Sequence, residues 1–239
     1  MNAMHDLERL LACLDSHPAL PAPVNQKEIW QERISEGHPA LPDEEFPIET
    51  AANLLTFLVR QKENISVEAL TPESIVSDYL SGHGTGWENT GISSERGTLY
   101  THLSCQKALS IVADKISNSV SLADWTAKIC PVCGSSPILS YLAKEDGRRM
   151  LVCGSCLSEW RYKRLGCVYC DETDPEKSQA LTTESFPGWS IYACLNCKGF
   201  LKTIDLRQIA LRPDWRQATL STLPLDYAAQ NWLTSNQIS

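Results

Sequence analysis

Several function classes leave marks that this chain lacks. No apolar run approaches the roughly 18 residues that a membrane-crossing helix needs, so no membrane insertion is expected. The opening, Met-Asn-Ala-Met-His-Asp-Leu-Glu-Arg-Leu, carries neither the basic nor the apolar region of an export signal. A reducing compartment is the expected location. Positive charge is not in excess either. The formal net charge is −8, and residues 1–125 hold 8 Lys+Arg against 18 Asp+Glu. So acidic a first half argues against nucleic acid as a partner. Ser81-Gly-His-Gly-Thr-Gly86 is glycine-rich, but it lacks the Lys-Ser/Thr ending of a phosphate loop and follows no apolar strand. It reads as a loop between helices. No nucleophile–histidine or acid–base pair stands out, so no catalytic residue is assigned and no enzyme is expected. Histidine is missing from the whole second half: all five precede residue 103.

That last absence bears on what is abundant there. Eight of the ten cysteines form four pairs: Cys130-Pro-Val-Cys133, Cys153-Gly-Ser-Cys156, Cys167-Val-Tyr-Cys170 and Cys194-Leu-Asn-Cys197. Two intervening residues let a tight turn aim both sulfurs at one point, the geometry of a metal knuckle. In a reducing compartment such pairs favour metal over a disulfide framework, which is the alternative. Four cysteines make one tetrahedral site, so two ions are expected. Sequential pairing is the simplest: 19 residues separate Cys133 from Cys153, and 23 separate Cys170 from Cys194. A crossed pairing is the alternative. With no histidine at hand both sites are all-sulfur, which suits zinc and equally a single rubredoxin-like iron. Gly134 follows the first pair where a knuckle backbone needs positive φ.

Around the cysteines lie short strand-like runs, 138–142, 149–152, 158–162 and 189–192, separated by turn signals such as Glu145-Asp146-Gly147 and Pro187-Gly188. Hairpins this small have too little core to fold without an ion. One ribbon is read over 127–164 and a second over 165–205. Arg148, Arg149, Arg161, Lys163, Arg164, Lys198 and Lys202 flank the sulfurs, either balancing their charge or forming a partner surface. Trp160, Tyr162 and Tyr169 interleave with them, superficially like a base-stacking platform.

Residues 1–126 read as an all-helical domain. Leu7, Leu10, Leu11 and Leu14 repeat at helical spacing, as do Ile48, Ala51, Leu54, Leu55, Leu58 and Val59. Thr71-Pro72-Glu73 is a helix start, with Thr as N-cap. Residues 97–117 give the longest pattern, with Leu99, His102, Leu103, Leu109, Val112 and Ile116 on one face and the lone Cys105 beside it. His17-Pro-Ala-Leu-Pro21 recurs as His38-Pro-Ala-Leu-Pro42; both read as helix-stopping loops. Trp125 is expected at the junction of the two halves. In the extension 206–239 a short helix over 224–233 is expected to bury Leu225, Tyr227, Ala228, Trp232 and Leu233. The fold class is thus α+β and multidomain: helices, two metal ribbons and a C-terminal helix.

The cysteine half also carries a resemblance. Trp125, Cys130-Pro-Val-Cys-Gly-Ser-Ser-Pro137, Leu151-Val-Cys-Gly-Ser-Cys-Leu-Ser-Glu-Trp160, Cys167-Val-Tyr-Cys170 and Cys194-Leu-Asn-Cys-Lys-Gly-Phe-Leu-Lys202 resemble, in order and spacing, the formate dehydrogenase accessory protein family FdhE. The resemblance covers residues 125–235. It implies a cytoplasmic bacterial maturation factor with two rubredoxin-like ribbons, which binds the catalytic subunit of respiratory formate dehydrogenase before export. It favours iron over zinc, and carries over as metal ligands Cys130, Cys133, Cys153, Cys156, Cys167, Cys170, Cys194 and Cys197. The alternatives are a rubredoxin-like redox protein and a zinc-ribbon binding module.

Overall fold

The computed structural model describes residues 3–18, 26–42, 45–63, 70–83, 86–88 and 90–236. Among the described residues five helices come first: α1 (Ala3–Asp15), α2 (Lys27–Ser35), α3 (Ile48–Lys62), α4 (Pro72–Ser81) and α5 (Ser94–Ser119). Their apolar stripes meet in one core. Leu10, Leu11 and Leu14 of α1 and Leu54, Leu55, Leu58 and Val59 of α3 pack with Ile75 and Val76 of α4. On α5 the buried stripe lies differently from the one read off the sequence. Leu99 and His102 are exposed, and Tyr100 takes the buried place. Its ring is in the core while its hydroxyl donates to Glu63 at 2.5 Å, so one polar tip is satisfied at the edge. Gly97 of α5 lies under the buried Trp87 ring, and even a methyl group there would overlap the indole. Pro72 does open α4, but the Thr71 hydroxyl makes no capping bond. Residues 19–21 of the first His-Pro-Ala-Leu-Pro run, and 84–85 of the glycine-rich loop, lie outside the described residues.

Six strands follow: β1 (Pro137–Leu142), β2 (Arg149–Cys153), β3 (Glu159–Arg161), β4 (Ser178–Thr182), β5 (Trp189–Cys194) and β6 (Phe200–Asp205). They form one mixed sheet in the order β3-β2-β1-β6-β5-β4. Each cysteine ribbon contributes three antiparallel strands, and the two triplets join through parallel pairing of β1 with β6. At that seam the buried hydroxyls of Ser140 and Thr203 lie 2.6 Å apart and satisfy one another. Strands β4 and β6 escape the sequence patterns. β4 is an edge strand whose side chains are half-buried or exposed, and β6 buries Lys202, Thr203 and Asp205, residue types normally assigned to the surface.

Two helices end the described chain, α6 (Trp215–Ser221) and α7 (Leu223–Ser235). Helix α7 packs on the second ribbon, where Leu225 and Ala229 meet Ile191 of β5. The buried stripe is Leu225, Ala229 and Leu233, spaced by four. The expectation for Tyr227 and Ala228 is therefore corrected: both are exposed, Tyr227 to 70%. A helix resting on one strand pair buries a narrow stripe, and Tyr227 lies outside it. Helix α6 packs against α1 and adds the Arg216–Asp15 ion pair.

Lys202 explains the seating of α7. Its side chain is 1% exposed and its ammonium lies 2.5 Å from the Asp226 carboxylate, which is 25% exposed. Breaking such a pair strands whichever charge is the more deeply buried. Asp226→Ala is thus expected to cost about 3 kcal/mol, and Lys202→Met less, because Asp226 can still be hydrated. Chemical denaturation of the metal-loaded variants checks the order; the reverse order would contradict this account.

Candidate metal centre

Each knuckle is a short loop closed by its own backbone. Cys130 N–H donates to Ser135 at 2.9 Å, Cys153 N–H to Ser158 at 2.9 Å, Cys167 N–H to Glu172 at 2.8 Å and Cys194 N–H to Gly199 at 2.9 Å. All four turns place the residue after the second cysteine in the left-handed region: Gly134 at φ 72°, Leu157 at 62°, Asp171 at 62° and Lys198 at 60°. Among the described residues, the last three are the non-glycine positions with positive φ. Such a conformation costs a non-glycine residue about 1–2 kcal/mol. It recurs here because the turn must aim two side chains at one point.

The loops bring eight sulfurs into two groups, Cys130, Cys133, Cys153 and Cys156, then Cys167, Cys170, Cys194 and Cys197. Within each group the sulfurs lie within 4.8 Å of one another. Cys130 to Cys156 and Cys133 to Cys153 are both 3.5 Å. Cys167 to Cys197 is 3.6 Å and Cys170 to Cys194 is 3.7 Å. A tetrahedron with metal–sulfur bonds of about 2.3 Å sets its sulfurs about 3.8 Å apart. Both groups therefore fit one tetrahedral ion of the zinc or iron kind. Backbone N–H groups turn toward the sulfurs: Val132 toward Cys130 at 3.4 Å, Ser155 and Cys156 toward Cys153 at 3.3 and 3.4 Å, and Tyr169 toward Cys167 at 3.4 Å. They stabilise negative charge there.

The two groups differ in setting. In the first, Cys130, Cys153 and Cys156 are buried, and they belong to a cluster containing Trp30 of α2, Leu109, Val112 and Ile116 of α5, and Trp125 and Trp160. That cluster is the seam between helices and sheet. Burial pushes the Cys130 thiol well above its ordinary pKa, while hydrogen bonds from Cys130, Cys153 and Cys156 push Cys133 down. Neighbours that shift in opposite directions cannot all ionise together without a cation. In the second group Cys167 and Cys194 are buried, Cys170 is half-buried and Cys197 is exposed.

Sequence reasoning missed one support of the first group. Ala40 and Leu41, inside the second His-Pro-Ala-Leu-Pro run, donate backbone N–H groups to the Pro131 and Val132 carbonyls, both at 2.8 Å. This loop is a strap across the first knuckle, and Arg33 Nε holds it by donating to the Pro39 carbonyl at 2.8 Å. The recurrence of five letters was visible, but nothing local announces a contact with a knuckle some 90 residues later. Trp125 does stand at the junction, donating from Nε1 to Ile129 at 2.8 Å. Trp160, Tyr162 and Tyr169 are not a stacking platform. Trp160 and Tyr162 are buried, and Tyr169 is half-buried, with its hydroxyl reaching the Phe200 carbonyl at 3.1 Å. Cys105 is a buried helix residue, its thiol pushed by burial up to about 12.

A family model described as FdhE, central domain, matches residues 129–164, which hold the first cysteine group. A protein called Protein FdhE homolog from Aquifex aeolicus is 28% identical over 217 residues, covering 84% of this chain and 72% of that protein. A Protein FdhE homolog from Stutzerimonas stutzeri is 38% identical over 104 residues, 41% of this chain and 32% of its own length. Among solved structures, the crystal structure of the FdhE protein from Pseudomonas aeruginosa shares the fold, with TM-score 0.60 and 22% identity over 95% of this chain and 83% of that one.

Two outcomes test the geometry. Gly134→Ala, whose new methyl would press on Pro39, should lower metal-loaded stability by about 1–2 kcal/mol, whereas Lys198→Gly should raise it slightly. Thermal melting reads both; stabilisation by Gly134→Ala would contradict the turn assignment. A chelator should strip the second group first, leaving about one metal equivalent on the folded chain, because an open site admits a competing ligand sooner. Metal counting over time checks this, and equal loss from both groups would refute it.

Proposed function

We propose that this chain, similar to FdhE proteins in its cysteine half and in its fold, is a maturation factor for respiratory formate dehydrogenase and not itself an enzyme. In this reading it works in the cytoplasm and binds the catalytic subunit of its client. The eight cysteines Cys130, Cys133, Cys153, Cys156, Cys167, Cys170, Cys194 and Cys197 hold two ions, iron or zinc, with iron favoured by the family resemblance. Nucleic acid is not a partner. No helix among the described residues is long and apolar enough to cross a membrane.

The observation that carries this reading is the arrangement of eight thiols as two complete four-sulfur sets within a chain similar to FdhE proteins. A bound ion supplies the positive charge that lets four thiolates share one point. The chain's own residues do the rest. The strap at Ala40–Leu41 and the N–H groups of Val132, Ser155 and Cys156 orient the first set. Lys128 donates to the Tyr169 carbonyl at 2.9 Å and pairs with Asp171, fastening the Cys167–Cys170 knuckle of the second ribbon to the first ribbon. The metals thereby shape one rigid surface for a client rather than open a coordination position for a substrate.

A second reading, a rubredoxin-like iron protein that exchanges electrons, is favoured by the exposure of Cys197. Deleting the gene separates the two. Loss of respiratory formate oxidation, while the catalytic subunit is still made, is the result expected for a maturation factor. Unchanged activity in a strain with no second copy would overturn it. The absorption spectrum of anaerobically purified protein distinguishes thiolate–iron bands from colourless zinc.

A further inference from the structure

Two hollows adjoin on the surface between the ribbons. One, a cleft of about 850 Å³, is lined by six cations, Lys128, Arg148, Arg149, Arg161, Lys163 and Arg164, and by the single carboxylate of Asp171. Asp171 is already engaged by Lys128 at 3.2 Å and Lys163 at 2.6 Å, and Arg148 by Asp146 at 2.6 Å. Arg161 and Arg164 have no ion-pair partner among the described residues. In a chain of net charge −8 this is a local reversal of sign. The second hollow, about 410 Å³, lies beside the second cysteine group and is lined by apolar groups including Leu165, Val168, Tyr192 and Leu201. Leu165 is 78% exposed there.

Arg149 and Arg164 line both hollows. Arg149 is the unusual one, 5% exposed and with no carboxylate partner among the described residues. Its guanidinium has five N–H donors, and the hydrogen bond it makes is to the Gly166 carbonyl at 3.1 Å, with the Tyr192 ring 5.8 Å away. Its remaining donors are not sealed in protein but open to the hollows it lines, where a ligand's acceptors can take the place of water. The forked donor pattern matches a carboxylate.

We propose that the paired hollows bind an acidic peptide segment of a protein partner, seating an apolar side chain against Leu165 and Tyr192 and a carboxylate on Arg149 and Arg164. The apolar hollow beside the cationic one fits a peptide with both kinds of side chain. A nucleic acid would place its phosphate run against a molecule whose first half is strongly acidic. This deepens the maturation reading by naming the chemistry of the client's docking segment, and rests on that reading for there being a client.

The test uses the full-length, metal-loaded chain and a fluorescein-labelled peptide, Gly-Ser-Leu-Glu-Asp-Leu-Gly-Ser, followed by anisotropy at low and high salt. Binding that weakens with salt and vanishes when Glu and Asp become Gln and Asn is the expected result. The Arg161→Gln/Arg164→Gln double variant should weaken binding roughly tenfold or more with melting and metal content unchanged, and Arg149→Gln further still if it folds. Equal binding by the double variant, tighter binding of a single-stranded oligonucleotide, displacement by inorganic phosphate at similar concentration, or no peptide binding would each overturn the proposal. Co-elution of formate dehydrogenase catalytic subunit with the double variant at wild-type yield would sink the cleft while leaving the maturation role standing; loss of co-elution for wild type would sink the role itself.

Discussion

The joint between helices and sheet leans on the burial of the first cysteine group in the core that they share. Cys130, Cys153 and Cys156 contact the same apolar cluster as Trp30, Val112, Ile116 and Trp160. Four thiolates in such a place are untenable alone, because each buried charge without a counter-charge costs several kcal/mol. With an ion among them they become a compact, nearly rigid cross-link. The surrounding structure is arranged for that. The Ala40–Leu41 strap, the Trp125 indole on Ile129 and the Gln106 amide on the Gly154 carbonyl at 3.3 Å all converge on the first two knuckles. A helical bundle and a sheet of short strands are joined by a site neither could enclose by itself.

The second group repeats the same turn chemistry at the surface. It belongs to the same sheet, yet its exposed member, Cys197, faces solvent, and the neighbouring surface carries the unpaired arginines and the apolar hollow. The division of labour that follows is simple. The first group ties the molecule together, and the second stabilises the part of it that other molecules can reach. Buried Lys202 with Asp226, and Lys128 with Asp171, set that outer ribbon firmly against α7 and the first ribbon.

What could be read from residues alone was local chemistry. The two-residue cysteine spacing is legible because one turn sets it, and the stripes of α1 and α3 are legible because helix period sets them. What could not be read depends on distant partners. β6 looks too polar for an interior strand until Lys202 finds Asp226 and Thr203 finds Ser140, 63 positions away in the chain. Tyr100 displaces Leu99 from the core side of α5 because its hydroxyl donates to Glu63 and accepts from Arg96 Nε. Tyr227 looks buried by composition and is not, because α7 packs through the stripe of Leu225, Ala229 and Leu233 and Tyr227 lies outside it. Three left-handed residues, Leu157, Asp171 and Lys198, carry no glycine to announce them, although Gly134 in the equivalent turn does.

The claim at the centre of this account is that the first cysteine group couples the two halves. Amide hydrogen exchange, compared before and after complete metal removal, tests it most directly. Loss of protection in β1–β3 together with the C-terminal half of α5, while α1, α3 and α4 keep theirs, is the predicted result. Unaltered protection along all of α5 once the sheet has opened would contradict it.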